Sequence, residues 1–143
     1  MTTMDVRPTA QMTAPATGRV AGLATGFGSV RVLGGLRLRH PGRPAGYDGE
    51  WPELVRVEVE LRNGTLGDVA VSLEQFRLRG CGHRQAVTPH VWGLRGGLLA
   101  PASTTRTWVD FWASRVDGEP WLEFHETRRS APLAFAVVLT SLA

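Results

Sequence analysis

The sequence predicts an all-β domain in which two antiparallel sheets pack face to face. Three observations support this fold class. Apolar and polar residues alternate along several short segments, which is the pattern of strands with one buried face. Gly, Pro and Asn-Gly signals separate these segments. No segment shows the apolar spacing of an α-helix, so we expect about seven strands and no α-helix.

Length and composition are those of one globular domain. The chain has 143 residues, of which 43% are apolar and 20% charged, so it can form one hydrophobic core. Residues 1–25 are rich in Thr, Ala, Pro, Gly and Met without periodicity, and we expect a flexible N-terminal arm there. The sandwich is expected over residues 26–143. No apolar run reaches the roughly 18 residues of a membrane span.

Charge and cysteine content bear on partners and compartment. All sixteen basic side chains are arginine, and they are scattered rather than clustered, so we expect no nucleic-acid partner despite the net charge of +3. The N-terminal charges are not followed by the apolar segment of a secretory signal, which favours the cytoplasm. Cys81 is the single cysteine, so no internal disulfide supports export.

The first strand is predicted from "SVRVLGGLRLRH", where Gly34–Gly35 suggests a bend or bulge. Four aliphatic residues are expected on one face and three arginines on the other: Val30, Val32, Leu36 and Leu38 against Arg31, Arg37 and Arg39. A Pro/Gly-rich loop follows. The cleanest strand is then "LVRVEVELRNG", with Val55 to Leu61 alternating inward and a turn at Asn63–Gly64.

The remaining strands come from five segments. In "DVAVSLEQFRLRG" the apolar positions slip by one residue between Leu73 and Phe76, which predicts a bulge or a kink that changes sheets. Pro89 places "QAVTPHVWG" at a sheet edge. "TTRTWVDFWASR", "PWLEFHE" and "LAFAVVLTSL" complete a total of about seven, for which a sandwich of the immunoglobulin type is the economical solution.

Period-two alternation also predicts the core. The residues expected to be mostly buried are Val57, Val59, Leu61, Val71, Leu78, Val109, Phe111, Leu122, Phe124, Phe135, Val137 and Leu139.

Several segments together resemble the immunoglobulin-like domain of the DUF4352 group of bacterial proteins, over residues 27–141. The matching residues are Val55, Val57, Val59 and Asn63, then Phe76, Leu78 and Gly80, then Leu99 and Pro101 ahead of Val109 and Phe111. The resemblance implies an extracytoplasmic binding or accessory domain and no catalytic motif. Extracellular location is therefore the alternative to the cytoplasm.

Catalytic and cofactor motifs are not found in the sequence. There is no Gly-x-Ser-x-Gly elbow and no phosphate-binding glycine loop, while Glu58 and Glu60 alternate with arginines on a wet strand face. Cys81, His83 and His90 could supply soft metal ligands, but their spacing matches no established metal motif. We therefore expect no enzyme activity, no cofactor and no bound metal, and keep a ligand- or metal-carrying domain of an exported system as the alternative.

Aromatic residues are the informative class, because five tryptophans are many for this length. Trp108 and Trp112 lie opposite Val109 and Phe111 on one strand, with Asp110 between them. Three interpretations stay open: a face covered by the chain's own loop or arm, a protein interface, and a sugar platform. The missing export signal argues against the sugar platform.

We therefore predict a non-enzymatic interaction or accessory domain that self-associates or binds a protein partner. Trp, Tyr and Arg anchors are typical of such interfaces. The candidate interface residues are Arg106, Trp108, Asp110, Trp112, Tyr47 and Trp51.

Overall fold

The computed structural model of the chain describes residues 22–39, 53–80, 86–113 and 119–141. Eleven strands follow one another in these ranges. They are β1 (Leu23–Ala24), β2 (Gly28–Arg39), β3 (Glu53–Asn63), β4 (Val69–Ala70), β5 (Phe76–Arg79), β6 (Pro89–Trp92), β7 (Leu98–Leu99), β8 (Ser103–Ala113), β9 (Trp121–Phe124), β10 (Leu133–Ala136) and β11 (Leu139–Ser141). Within the same ranges, no helix is both long and apolar enough to cross a membrane.

Two main sheets form the sandwich, which confirms the predicted all-β fold class. The large sheet has the order β1–β2–β3–β8–β6, and β11 runs parallel to β2 on the same side as β1. The second sheet has the order β10–β9–β5, and β4 pairs with β7. β6 lies at the edge of the large sheet, where Pro89 predicted it. The strand count exceeds seven because predicted segments divide: "LAFAVVLTSL" gives β10 in one sheet and β11 in the other.

The start of the domain includes part of the predicted arm. Residues 1–21 lie outside the described residues, and Leu23–Ala24 form β1, which pairs with Val30 and Ser29 of β2.

The hydrophobic core lies between the two main sheets. Phe111 of the large sheet and Phe76, Phe124 and Leu122 of the second sheet are fully buried. The rings of Phe76 and Phe124 are 5.1 Å apart, and Trp92 meets Phe76 edge-on at 6.0 Å. The core prediction is confirmed: eleven of its twelve residues are buried, and Leu139 is half-buried against the core.

A bulge in β2 corrects the predicted face of its second half. The register with β3 shifts between Val32 and Gly34. After this shift Gly35 faces inward, since a Cβ there would lie 2.8 Å from side-chain atoms of Val137 and Leu139. Leu36 and Leu38 are therefore on the outer face, and they do not share the face of Val30 and Val32 as the sequence predicted. The bulge itself was predicted correctly, but a one-residue shift moves every later side chain to the other face.

The one-residue slip of the apolar pattern in residues 68–80 marks the place where the chain passes from one sheet to another. β4 ends at Ala70, a 3-10 turn spans Leu73–Gln75, and β5 enters the second sheet at Phe76. Ser72 begins this turn: the Gln75 side chain accepts its backbone N–H at 2.7 Å. The turn inserts the residues that make the apolar pattern change phase.

Asn63 fixes the end of β3. Its side chain is fully buried, and its amide donates to the carbonyl oxygens of Gly67, Leu99 and Ala100 at 2.9 to 3.1 Å. Its amide oxygen accepts the N–H of Thr65 at 2.8 Å. Because a buried amide must be paired, these bonds tie two loops to the strand end.

Phe111→Ala tests the assignment of the inner face. The ring is fully buried between the sheets, so its removal should lower the free energy of unfolding by about 3 to 5 kcal/mol. Urea denaturation measures the change. Leu66→Ala is the control, since Leu66 is 95% exposed and should change little. Equal stability of the two variants would contradict the assignment.

Candidate functional site

The outer face of the large sheet is organised in rows that cross β2, β3 and β8. Directly paired residues of antiparallel strands project from the same face, so the pairing assigns each row. From one end of the strands to the other, the rows are Leu38–Leu54–Trp112, then Leu36–Arg56–Asp110, then Gly34–Glu58–Trp108, then Arg31–Glu60–Arg106, and last Ser29–Arg62–Thr104. The face thus has an apolar end and a charged end.

The apolar end is the row of Leu38, Leu54 and Trp112 together with Leu36. All four side chains are half-buried. β6 continues this surface at the sheet edge: the His90 ring lies 5.8 Å from that of Trp112, and Val91 is exposed beside Asp110. The apolar end therefore combines three leucines and an indole on the side of the sheet that faces away from the core.

A fixed arginine lies at the centre of the outer face. Arg56 donates from Nε to Asp110 Oδ1 at 2.8 Å and from Nη2 to Asp110 Oδ2 at 2.9 Å. Its guanidinium carbon is also 4.1 Å from the centre of the Trp108 ring. The hydrogen bonds to Asp110 raise the pKa of Arg56, so the cation is permanent. Two hydrogen bonds and one ring contact together hold the guanidinium in one orientation.

Trp108 lies against Gly93, the residue that follows β6. Gly93 donates its N–H to the carbonyl oxygen of Trp108 at 2.9 Å. A Cβ at position 93 would lie 2.7 Å from both Cε2 and Nε1 of the indole. Glycine is therefore required there by close approach, and the indole is confined between Gly93 and the guanidinium of Arg56.

The charged end has Glu60 between two arginines. Arg31 and Arg106 approach its carboxylate at 3.1 and 3.4 Å. The Arg106 side chain is 71% exposed, and Glu58 in the neighbouring row is exposed as well. These ion pairs are in contact with solvent, so they contribute little to stability and remain accessible to a partner.

The structure places four of the six predicted interface residues on this face: Arg106, Trp108, Asp110 and Trp112. Tyr47 and Trp51 lie outside the described residues. Asp110 is only 3% exposed and accepts two hydrogen bonds from Arg56. It therefore positions Arg56 and is not the exposed rim group that alternation suggested. Of the metal candidates, Cys81 and His83 lie outside the described residues. The described part of the chain brings no three His, Cys, Asp or Glu side chains together as metal ligands.

Sequence reasoning missed Leu54, Leu36 and Leu38 as members of this face. Alternation put Arg56 on the wet face of β3, which is correct, but it did not predict the contact with Asp110, which depends on the register between β3 and β8. No short turn joins these strands, so no local signal sets that register.

Comparison with known proteins gives a distant structural likeness. No protein-family model matches the chain, and no curated protein matches it. One solved structure, "The crystal structure of a functionally unknown protein from Listeria monocytogenes EGD-e", is 12% identical, with 71% of this chain and 68% of that chain covered at a TM-score of 0.47. A likeness at this level carries no argument about function.

A double-mutant cycle can distinguish the Arg56–Asp110 pair from an ordinary surface ion pair by its coupling free energy. Asp110→Asn and Arg56→Gln should show a coupling of about 1 to 3 kcal/mol in the free energy of unfolding, since Arg56→Gln alone leaves the buried Asp110 carboxylate unpaired. Arg106→Gln with Glu60→Gln is the matched control on the same two strands. It should give about 0.5 kcal/mol or less. Equal couplings would show that burial of Asp110 adds nothing.

Gly93→Ala tests the position of the Trp108 indole. The new methyl group should collide with the ring and lower stability by about 1 to 3 kcal/mol. The loss should be smaller in a Trp108→Thr background, where the ring is gone and only Thr107 Oγ1, 2.9 Å from the new Cβ, still obstructs it. Gly67→Ala is the control, since a Cβ there meets nothing within 4 Å. Additive losses in the double variant would place the indole elsewhere.

Proposed function

We propose that this chain is a non-enzymatic interaction domain, an accessory or assembly subunit, which binds a second protein subunit through the outer face of its large sheet. One observation carries the proposal: two tryptophans project from the side of a sheet whose core side is already filled by Val109 and Phe111. The resemblance to DUF4352-type domains, which implies a binding or accessory role, is in accord with it.

The anatomy of the face supports this function. Protein interfaces combine an apolar centre with a polar rim, and they are enriched in Trp and Arg. Here the apolar end adjoins a charged row, and Arg56 is oriented before any partner arrives. An ordered arginine loses little side-chain entropy on binding, so it is suited to act as an anchor.

The charge of the face favours a second copy of this chain as the partner. Its charged residues are Arg31, Arg56, Arg62 and Arg106 against Glu58, Glu60 and Asp110, which are of both signs and nearly balanced. Two such faces do not repel each other strongly, whereas a face of one sign would. Apolar contact at the Trp112 row would then supply most of the association free energy.

Replacing both tryptophans tests the proposal. The Trp108→Thr/Trp112→Thr variant should remain folded, because both half-buried indoles lie outside the core and Thr suits strand positions. It should lose self-association by about 2 kcal/mol or more per ring. Light scattering after gel filtration over a concentration series measures the change. Trp121→Thr is the matched control, since this half-buried indole lies on β9 of the other sheet.

Three results are distinguishable. Loss of association in the double variant alone supports the proposal. A parent that is monomeric at every concentration removes the second copy as partner, and an association that persists without either indole removes the outer face. Deleting residues 1–21 tests the interpretation that the chain's own arm covers the face: it should then increase association.

A further inference from the structure

A cleft lies at the end of the sandwich away from the Trp112 row. None of its lining residues belongs to the rows of the outer face. It lies where the β1–β2 turn meets the loop between β9 and β10, beside the start of β2. It is open to solvent and has a volume of about 560 Å³, so a ligand there would remain partly exposed. Thr25, Phe27 and Ala70 line one part of it, and Glu126 to Arg129 line another.

The walls of this cleft are held in place by Glu126. Its carboxylate accepts the Gly26 N–H at 2.7 Å and the Arg129 Nε–H at 3.2 Å. The backbone also turns here, since Arg129 donates its N–H to the carbonyl oxygen of Glu126 at 3.1 Å. Gln75 ties down the start of the same loop by donating to the His125 carbonyl oxygen at 3.0 Å. The cleft therefore exists before a ligand binds.

One cation of the cleft is not engaged. The Arg129 guanidinium binds Glu126 and approaches the carbonyl oxygen of Ala24 at 3.5 Å. Arg128 is exposed and forms no ion pair or hydrogen bond within the described residues. Because Glu126 offsets one arginine, the three charged side chains leave a net charge of about +1 at the cleft.

We propose that this cleft binds a small organic monocarboxylate. The ligand carboxylate pairs with Arg128, and its apolar part lies against Phe27 and Ala70. Arginine binds a carboxylate through two parallel hydrogen bonds, which gives both strength and orientation. The carboxylate of Glu126 repels a dianion more than a monoanion, so inorganic phosphate is a poorer ligand.

The test is a titration of the full chain with benzoate, followed by amide chemical shifts in ¹H–¹⁵N spectra. Saturable shifts at Gly26, Thr127 and Arg128 are expected, with benzamide as the neutral control that produces none. Arg128→Gln should weaken benzoate binding by about tenfold or more, since it removes a charge-assisted pair. Arg95→Gln, at an exposed arginine of another turn, should bind benzoate like the parent.

Each remaining outcome decides the question. Absence of saturation, or equal binding of benzoate and benzamide, overturns the site. Phosphate binding as tight as benzoate overturns the ligand class. Glu126→Gln should strengthen phosphate binding relative to benzoate binding, which a merely structural Glu126 would not do. None of these shifts involves Trp108 or Trp112, so failure here leaves the interface proposal standing.

Discussion

Core residues already occupy the whole inner face of β3 and β8, and the rest of the structure depends on this constraint. A strand has two faces, and Val57, Val109 and Phe111 already fill the inner one. The indoles of Trp108 and Trp112 must therefore lie on the outer face, where the neighbouring strands accommodate them. Gly93 leaves room beside one indole, and the guanidinium of Arg56 covers it.

The Arg56–Asp110 pair gives this outer face its order more than its stability. Withdrawing a carboxylate from water costs free energy that the partner guanidinium largely offsets, so the net contribution of such a pair is small. Asp110 is almost fully buried and yet its partner remains one-third exposed. The consequence is an arginine whose position is fixed while part of its surface still meets solvent, which a mobile surface arginine would not provide.

The sequence predicted the parts of the fold that follow from alternation alone. The strands β3 and β8, their buried faces and the outward position of Trp108 could be read from period two, and Pro89 marked the edge strand. The outward position of Leu36 and Leu38 could not be read in this way, because it depends on the residue at which the bulge shifts the inward and outward alternation. The role of Arg56 could not either, because it needs the register between two strands separated by much of the chain.

The cleft and the apolar end of the outer face use different forces and lie at opposite ends of β2. This strand runs from the residues that follow the cleft turn to Leu38, in the row that ends at Trp112, which at about 3.3 Å per residue is some 30 Å. Contact at the apolar end depends on buried area and is insensitive to salt, whereas a carboxylate on Arg128 is exposed to screening. The bulge between Val32 and Gly34 turns Leu36 and Leu38 outward, so it adds two leucines to the apolar end and leaves the cleft end of β2 without them.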